Sequence, residues 1–201
     1  MNPGSMGNQS ASLTHSSERR LVPRVLILVG FMGAGKTSVG KRLAEILQWR
    51  FEDLDDSIQT RAGRSIEDIF RDSGEAEFRR YERVAFHELL TESKGDLLVI
   101  ALGGGTFVQS ENVALMQRPD IASIFLDAPV AELFERCQLQ AIDRPLRRDE
   151  PNFRELYETR RGAYMAASCR VETSAKSISQ IAEEIVRTLG ISEVSRPRTE
   201  T

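Results

Sequence analysis

The chain has 201 residues, 40% of them hydrophobic and 28% charged, with a formal net charge of −3. That length fits one domain with a single core and room for tails. The near-neutral balance excludes a strong overall field for nucleic acid or an anionic membrane, so any anion binding falls to local arginines.

Residues 1–20 are polar and Ser-rich and lack the apolar core of a secretory signal. They are read as a disordered leader; their scarcity of acidic residues leaves a short organelle-targeting segment as the alternative. No apolar run approaches the roughly 20 residues that span a bilayer. Structure is expected from Leu21. Val25-Leu26-Ile27-Leu28-Val29 is a continuous β-rich run of the kind buried on both faces in a parallel sheet. Helical spacing follows over 36–47, with Val39, Leu43, Ile46 and Leu47 as the apolar stripe.

A second, short strand is predicted over 51–54. Helical pieces follow around Gly63, with Ser65 and Asp68 spaced as a helix start. Residues 75–90 form a longer amphipathic helix offering Phe78, Val84, Ala85 and Leu89 to the core. A third buried strand over 97–102 is closed by Gly103-Gly104-Gly105. Then come a helix over 112–117, a strand over 121–126 and a helix over 130–138. Residues 143–151 are dense in charge and proline and read as an exposed mobile loop. A helix over 153–167, a strand over 170–173 and a helix over 179–189 complete the domain, and the segment from 191 to 201 reads as a flexible tail. Strands alternating with helices predict an α/β domain with a parallel sheet.

Gly30-Phe31-Met32-Gly33-Ala34-Gly35-Lys36-Thr37 matches G-x-x-x-x-G-K-[ST] in full, after a buried strand and before a helix. Glycines let backbone N–H groups curl around phosphate oxygens, and a helix start adds its positive dipole end. Gly33, Ala34 and Gly35 supply that cradle. Lys36 brings a compact charge to the β/γ-phosphates, and Thr37 offers a hydroxyl to Mg²⁺. The motif specifies a nucleoside triphosphate without separating ATPases, GTPases and kinases.

Asp53 and Asp55 follow the second strand, at the end of the sheet where ligands bind. Two apart on an extended backbone, they point the same way. One suits Mg²⁺ through water, the other the proton of an attacking hydroxyl. Arg79 and Glu82 share a helix face, and an arginine fork grips a carboxylate in two parallel bonds. Taken alone, that pair reads as a surface salt-bridge face. The triplet Gly103-Gly104-Gly105 implies close approach of backbone to another group. Cys137 and Cys169 fit neither a metal spacing nor a disulfide framework and predict free thiols in a reducing cytoplasm. His15 and His87 stand in no recognisable motif.

Jointly these residues resemble the shikimate kinase family. The P-loop, Asp53-Leu54-Asp55, 63–70, 74–82, the glycine triplet and Arg144-Pro145-Leu146 follow one another in the family's order, so the resemblance covers nearly the whole domain. It implies a three-layer P-loop kinase sandwich over 21–190, a mostly five-stranded parallel sheet flanked by helices, and a lid at about 138–152. It implies transfer of the ATP γ-phosphoryl group to the 3-hydroxyl of shikimate by a cytoplasmic monomer requiring Mg²⁺, with no nucleic-acid or membrane partner. Asp53 and Thr37 would hold the metal. Asp55 would orient or deprotonate the attacking hydroxyl, Arg79 and Arg160 would bind the carboxylate, and Gly104 would give a backbone contact. Arg144 would close over the phosphates beside Lys36. The family's R-x-P-x-Y reads here Arg160-Arg161-Gly162-Ala163-Tyr164, without the proline, which leaves Arg161 as an alternative to Arg160. Two other readings stand beside this one: a gluconate kinase-like enzyme, and a binding protein that kept the fold without the chemistry.

Overall fold

The computed structural model describes residues 22–92, 95–139 and 149–191. The leader, most of the lid with Arg144, and all of the tail but Ile191 lie outside the described residues.

The elements run β1 (Val25–Val29), α1 (Lys36–Leu47), β2 (Arg50–Asp53), α2 (Leu54–Ala62), α3 (Ile66–Glu92), β3 (Leu98–Ala101), a 3₁₀ turn (Thr106–Val108), α4 (Ser110–Met116), β4 (Ile121–Asp127), α5 (Val130–Leu139), α6 (Glu150–Tyr164), β5 (Cys169–Glu172) and α7 (Ile178–Leu189). The five strands form one all-parallel sheet in the order β2-β3-β1-β4-β5. Val25 of β1 pairs with Leu98 on one side and Ile121 on the other. Every residue of β1, β3 and β4 is buried, so both faces of the sheet need a helical layer. The edge strands differ: every residue of β2 is exposed or half-buried, and in β5 only Val171 is buried. The result is the expected α/β sandwich.

Local chemistry accounts for the borders that moved. Residue 54 leaves the predicted second strand because Asp53 caps α2: its side chain accepts from the Asp55 amide at 3.0 Å. The α6 helix begins at Glu150 rather than 153. Asp149 is its N-cap, accepting from the Asn152 amide at 3.2 Å, and Pro151 sits in the first turn, where its missing N–H costs nothing. The helix ends at Tyr164, short of the expected 167. The predicted pieces after Gly63 join into one long α3, broken only by Gly74 at φ 77, ψ 177. Its start is as the spacing indicated, with Ser65 Oγ accepting from the Asp68 amide at 3.1 Å. Val84, expected in the core, is instead exposed on α3, while Phe78, Ala85 and Leu89 are buried.

Candidate active site

The P-loop leaves β1 at Gly30 and enters α1 at Lys36. Gly33 has φ 81, and a Cβ there would lie 2.6 Å from the Leu133 carbonyl, so both conformation and space demand glycine. Gly35, at φ 85, is the N-cap of α1, and no side chain caps the first turn, which leaves its amides for a phosphate. Lys36 folds back over the loop, its Nζ donating to the carbonyls of Gly30 (2.9 Å) and Phe31 (3.0 Å). Phe31 anchors the loop from beneath: it is fully buried, edge-on to Phe153 at 4.9 Å and to Tyr157 at 5.4 Å.

Asp53 faces this loop, its Oδ2 accepting from the Thr37 hydroxyl at 2.7 Å. Asp53 and Asp55 do not point the same way along one strand, as the extended reading had it, because the chain turns into α2 between them. The turn sends Asp55 toward the glycine triplet.

Each glycine of that triplet receives one of the acceptor-site side chains expected from sequence. A Cβ on Gly103 would meet Asp55 Oδ1 at 2.9 Å, one on Gly104 would meet Arg160 Nη1 at 3.3 Å, and one on Gly105 would meet Arg79 Nη1 at 2.5 Å. Side chains here would fill the space the three groups occupy. Asp55, Arg160 and Arg79, from three different helices, thus converge on three consecutive backbone units, and a Cβ on the middle one would lie 3.9 Å from the carbonyl of Gly30, where the P-loop begins.

Arg79 is held from below. Glu82 takes its Nη1 at 2.9 Å and Glu75 takes Nη2 at 3.1 Å. Glu82 is 1% exposed, which makes it a buried carboxylate and no part of a surface face. Its other donors are the Thr106 hydroxyl at 2.6 Å and the Gln109 amide. Burial works against the charge on Arg79, but Glu82 and then Glu75 outweigh it and raise the guanidinium pKa. Helical i, i+3 spacing identified the Arg79–Glu82 pair, whereas Thr106 and Gln109, 24 and 27 residues away, left no sequence signal.

The two arginines of α6 point to different places. Arg160 lies on Gly104, whereas Arg161 donates to the Tyr157 hydroxyl at 3.0 Å and to Asp127 Oδ2 at 3.2 Å. Asp127, 3% exposed at the end of β4, also takes Arg170 at 2.8 Å. Tyr164 donates to the Gly104 carbonyl. Neither bond was expected from sequence. Arg144 lies outside the described residues.

For Mg²⁺, the fitting donors are the Thr37 hydroxyl and the Asp53 carboxylate, two hard oxygens already in contact at the mouth of the P-loop. Among the described residues no cluster of three or more His, Cys, Asp or Glu forms a metal cage. A cation shared between this pair, water and substrate phosphates needs none. Among the described residues, too, no helix is long and apolar enough to cross a membrane.

Comparison with known proteins identifies the family. The shikimate kinase family model matches residues 32–190. The shikimate kinase of Persephonella marina is 41% identical over 164 residues, covering 81% of this chain and 97% of that one. The structure is similar to that of the Acinetobacter baumannii shikimate kinase in complex with shikimate, with a TM-score of 0.76 at 33% identity, over 85% of this chain and 94% of that one. It is also similar to the Aquifex aeolicus shikimate kinase, with a TM-score of 0.73 at 33% identity, over 83% of this chain and 96% of that one. Matched by the family model over 32–190 and by relatives at about 40% identity, the chain belongs to the shikimate kinase family.

Proposed function

We propose that Lys36, Asp53, Asp55, Arg79, Gly104, Arg144 and Arg160 carry the transfer of the ATP γ-phosphoryl group to the 3-hydroxyl of shikimate. The observation that supports these roles best is the seating of Asp55, Arg160 and Arg79 on Gly103, Gly104 and Gly105. One carboxylate and two guanidinium groups around bare backbone suit a ring that bears both hydroxyls and a carboxylate.

The amides around Gly33, Ala34 and Gly35 cradle the β- and γ-phosphates, and Lys36 neutralises them. Arg79 and Arg160 grip the shikimate carboxylate, and the Gly104 backbone contacts the ring. This orients the 3-hydroxyl toward the γ-phosphorus. Asp55 accepts the proton of that hydroxyl as its oxygen bonds to phosphorus and the bond to the bridging oxygen of ADP breaks. Thr37 and Asp53 would hold Mg²⁺, which when bound neutralises charge on the β- and γ-oxygens. Arg144 would spread the charge of the transferring phosphoryl group in the role of an arginine finger supplied in cis. Arg160 rather than Arg161 is assigned to the carboxylate, because Arg161 is engaged by Tyr157 and Asp127. The protein works as a cytoplasmic monomer with a single domain over 21–190, and Cys137 and Cys169 form no disulfide.

An ADP-release assay with an acceptor panel tests this reading. Turnover should require ATP, Mg²⁺ and shikimate. Turnover with gluconate but not shikimate would select the gluconate kinase-like alternative. Nucleotide binding with no turnover on any acceptor would select the binding protein.

A further inference from the structure

Tyr164 closes α6 and is completely buried, its ring 5.4 Å from that of Phe125 and 6.5 Å from that of Phe107. A phenol hydroxyl shut away from water needs a partner. Here it donates to the Gly104 carbonyl, 60 residues away. Arg160 stands one turn earlier on the same helix face. A Cβ on Gly104 would lie 3.3 Å from Arg160 Nη1 and 3.6 Å from the Tyr164 hydroxyl, so the guanidinium and the phenol converge on one glycine. Burial pushes the Tyr164 hydroxyl up to about 12, against the opposing pull of Arg160, so it stays a proton donor through the working pH range.

We propose that Tyr164 is a positioning residue for acceptor recognition: its bond to the Gly104 carbonyl fixes that peptide against Arg160, so that backbone and guanidinium meet the acceptor in one geometry. Tyr164 does not touch the substrate; it acts through Gly104 and Arg160. Four residues apart on a rigid helix, Tyr164 and Arg160 move as a unit, and the hydroxyl bond sets how closely that unit approaches the triplet. A bond that was only structural would stabilise the fold and leave the two substrates equally affected. The inference rests on the assignment of Arg160 to the carboxylate.

Tyr164→Phe removes one oxygen and keeps the ring. Measured well below its unfolding temperature, it should raise KM for shikimate about fivefold, the worth of one ordinary hydrogen bond. KM for ATP should stay unchanged. In an Arg160→Ala background the same substitution should have little further effect, since the two act as one unit. An unchanged KM for shikimate with a lowered Tm, equal rises in both KM values, or full additivity with Arg160→Ala would each overturn the proposal. If Arg160→Ala itself left KM for shikimate unchanged, the carboxylate assignment would fall first. If Arg160→Ala raised it while Tyr164→Phe did not, only the positioning role would fall. Should Tyr164→Phe not fold, Phe125→Leu loosens the seat of the ring while keeping the hydroxyl. The same selective rise in KM is then expected, and its absence overturns the proposal.

Discussion

A methyl group at Gly105 would stand 2.5 Å from Nη1 and 2.7 Å from Nη2 of Arg79. The backbone at Gly105 is ordinary, φ −98 and ψ −15, so alanine brings no strain of its own. Its whole effect falls on a guanidinium that Glu82 and Glu75 hold in place. Gly105→Ala should therefore raise KM for shikimate by about tenfold, or about 1.4 kcal/mol, and leave KM for ATP unchanged. Arg79→Ala removes a charge-assisted grip and should raise it further, by roughly 10- to 100-fold. A rise in KM for ATP alone in either variant would show that Arg79 serves the nucleotide. In the proposed reaction Lys36 and Asp55 serve the chemical step, which Lys36→Ala and Asp55→Asn probe. Each should lower kcat by roughly 10²-fold or more, since both act on charge that develops at transfer; single-turnover kinetics checks this. Lys36, Thr37, Asp53, Asp55 and Arg79 were legible in the sequence because each sits at a fixed offset within a short motif. Tyr164 was visible in sequence only as the end of a spacing pattern, since its partner is 60 residues distant. Glu82 was legible as a partner of Arg79 but not as a buried group, because its burial depends on packing against Thr106 and Gln109.

Among the elements, α3 shows how backbone strain escapes a reading by hydrophobic period. Periodicity placed helices on both sides of Gly74 but could not show that they join through a residue at φ 77, ψ 177. That conformation is essentially confined to glycine. A Cβ at Gly74 would meet nothing within 4 Å, so strain is the only cost of adding one. Gly74→Ala should destabilise the fold by about 1–3 kcal/mol, a fall in Tm of about 2–4 °C for each kcal/mol. Gly162 is the control. It too has open space around it, but it lies within α6 without a positive φ. Gly162→Ala should stabilise by about 0.5–1 kcal/mol. Opposite shifts in urea midpoint for two glycine-to-alanine changes would separate strain from chain entropy; shifts of one sign would sink the account. The buried strands were the easiest elements to read, since unbroken apolar runs such as Val25–Val29 have few other uses. Helix starts at Ile66 and Glu150 depended on caps at Ser65 and Asp149, of which only the first had a partner spacing that could be read from sequence.

At the scale of the whole molecule, the strand order β2-β3-β1-β4-β5 brings the ends of β1, β2 and β3 to one edge. Gly30 follows β1, Asp53 ends β2 and Gly103 follows β3, so the groups proposed for nucleotide and acceptor are fixed to one sheet. Alternation of strands and helices made this arrangement legible. The fastening on its far side was not, because it is aromatic and non-local. Phe31 inserts from the P-loop between Phe153 and Tyr157 of α6, and Phe134 of α5 lies 5.1 Å from Phe153. The same residue thus belongs to the core through its ring and to the P-loop through its backbone, whose carbonyl accepts from Lys36 at 3.0 Å. Phe31→Ala should cost about 3–5 kcal/mol in stability, as a large cavity under a rigid loop does not collapse easily. It should also raise KM for ATP more than KM for shikimate, since the loop moves while the triplet and Arg79 keep their own support from Glu82. Wild-type protein should gain Tm from ADP and from shikimate separately, because each ligand binds only the folded chain. The variant should lose most of the ADP shift and keep the shikimate shift. Loss of both shifts together would mean that the aromatic cluster supports the acceptor site as directly as the P-loop.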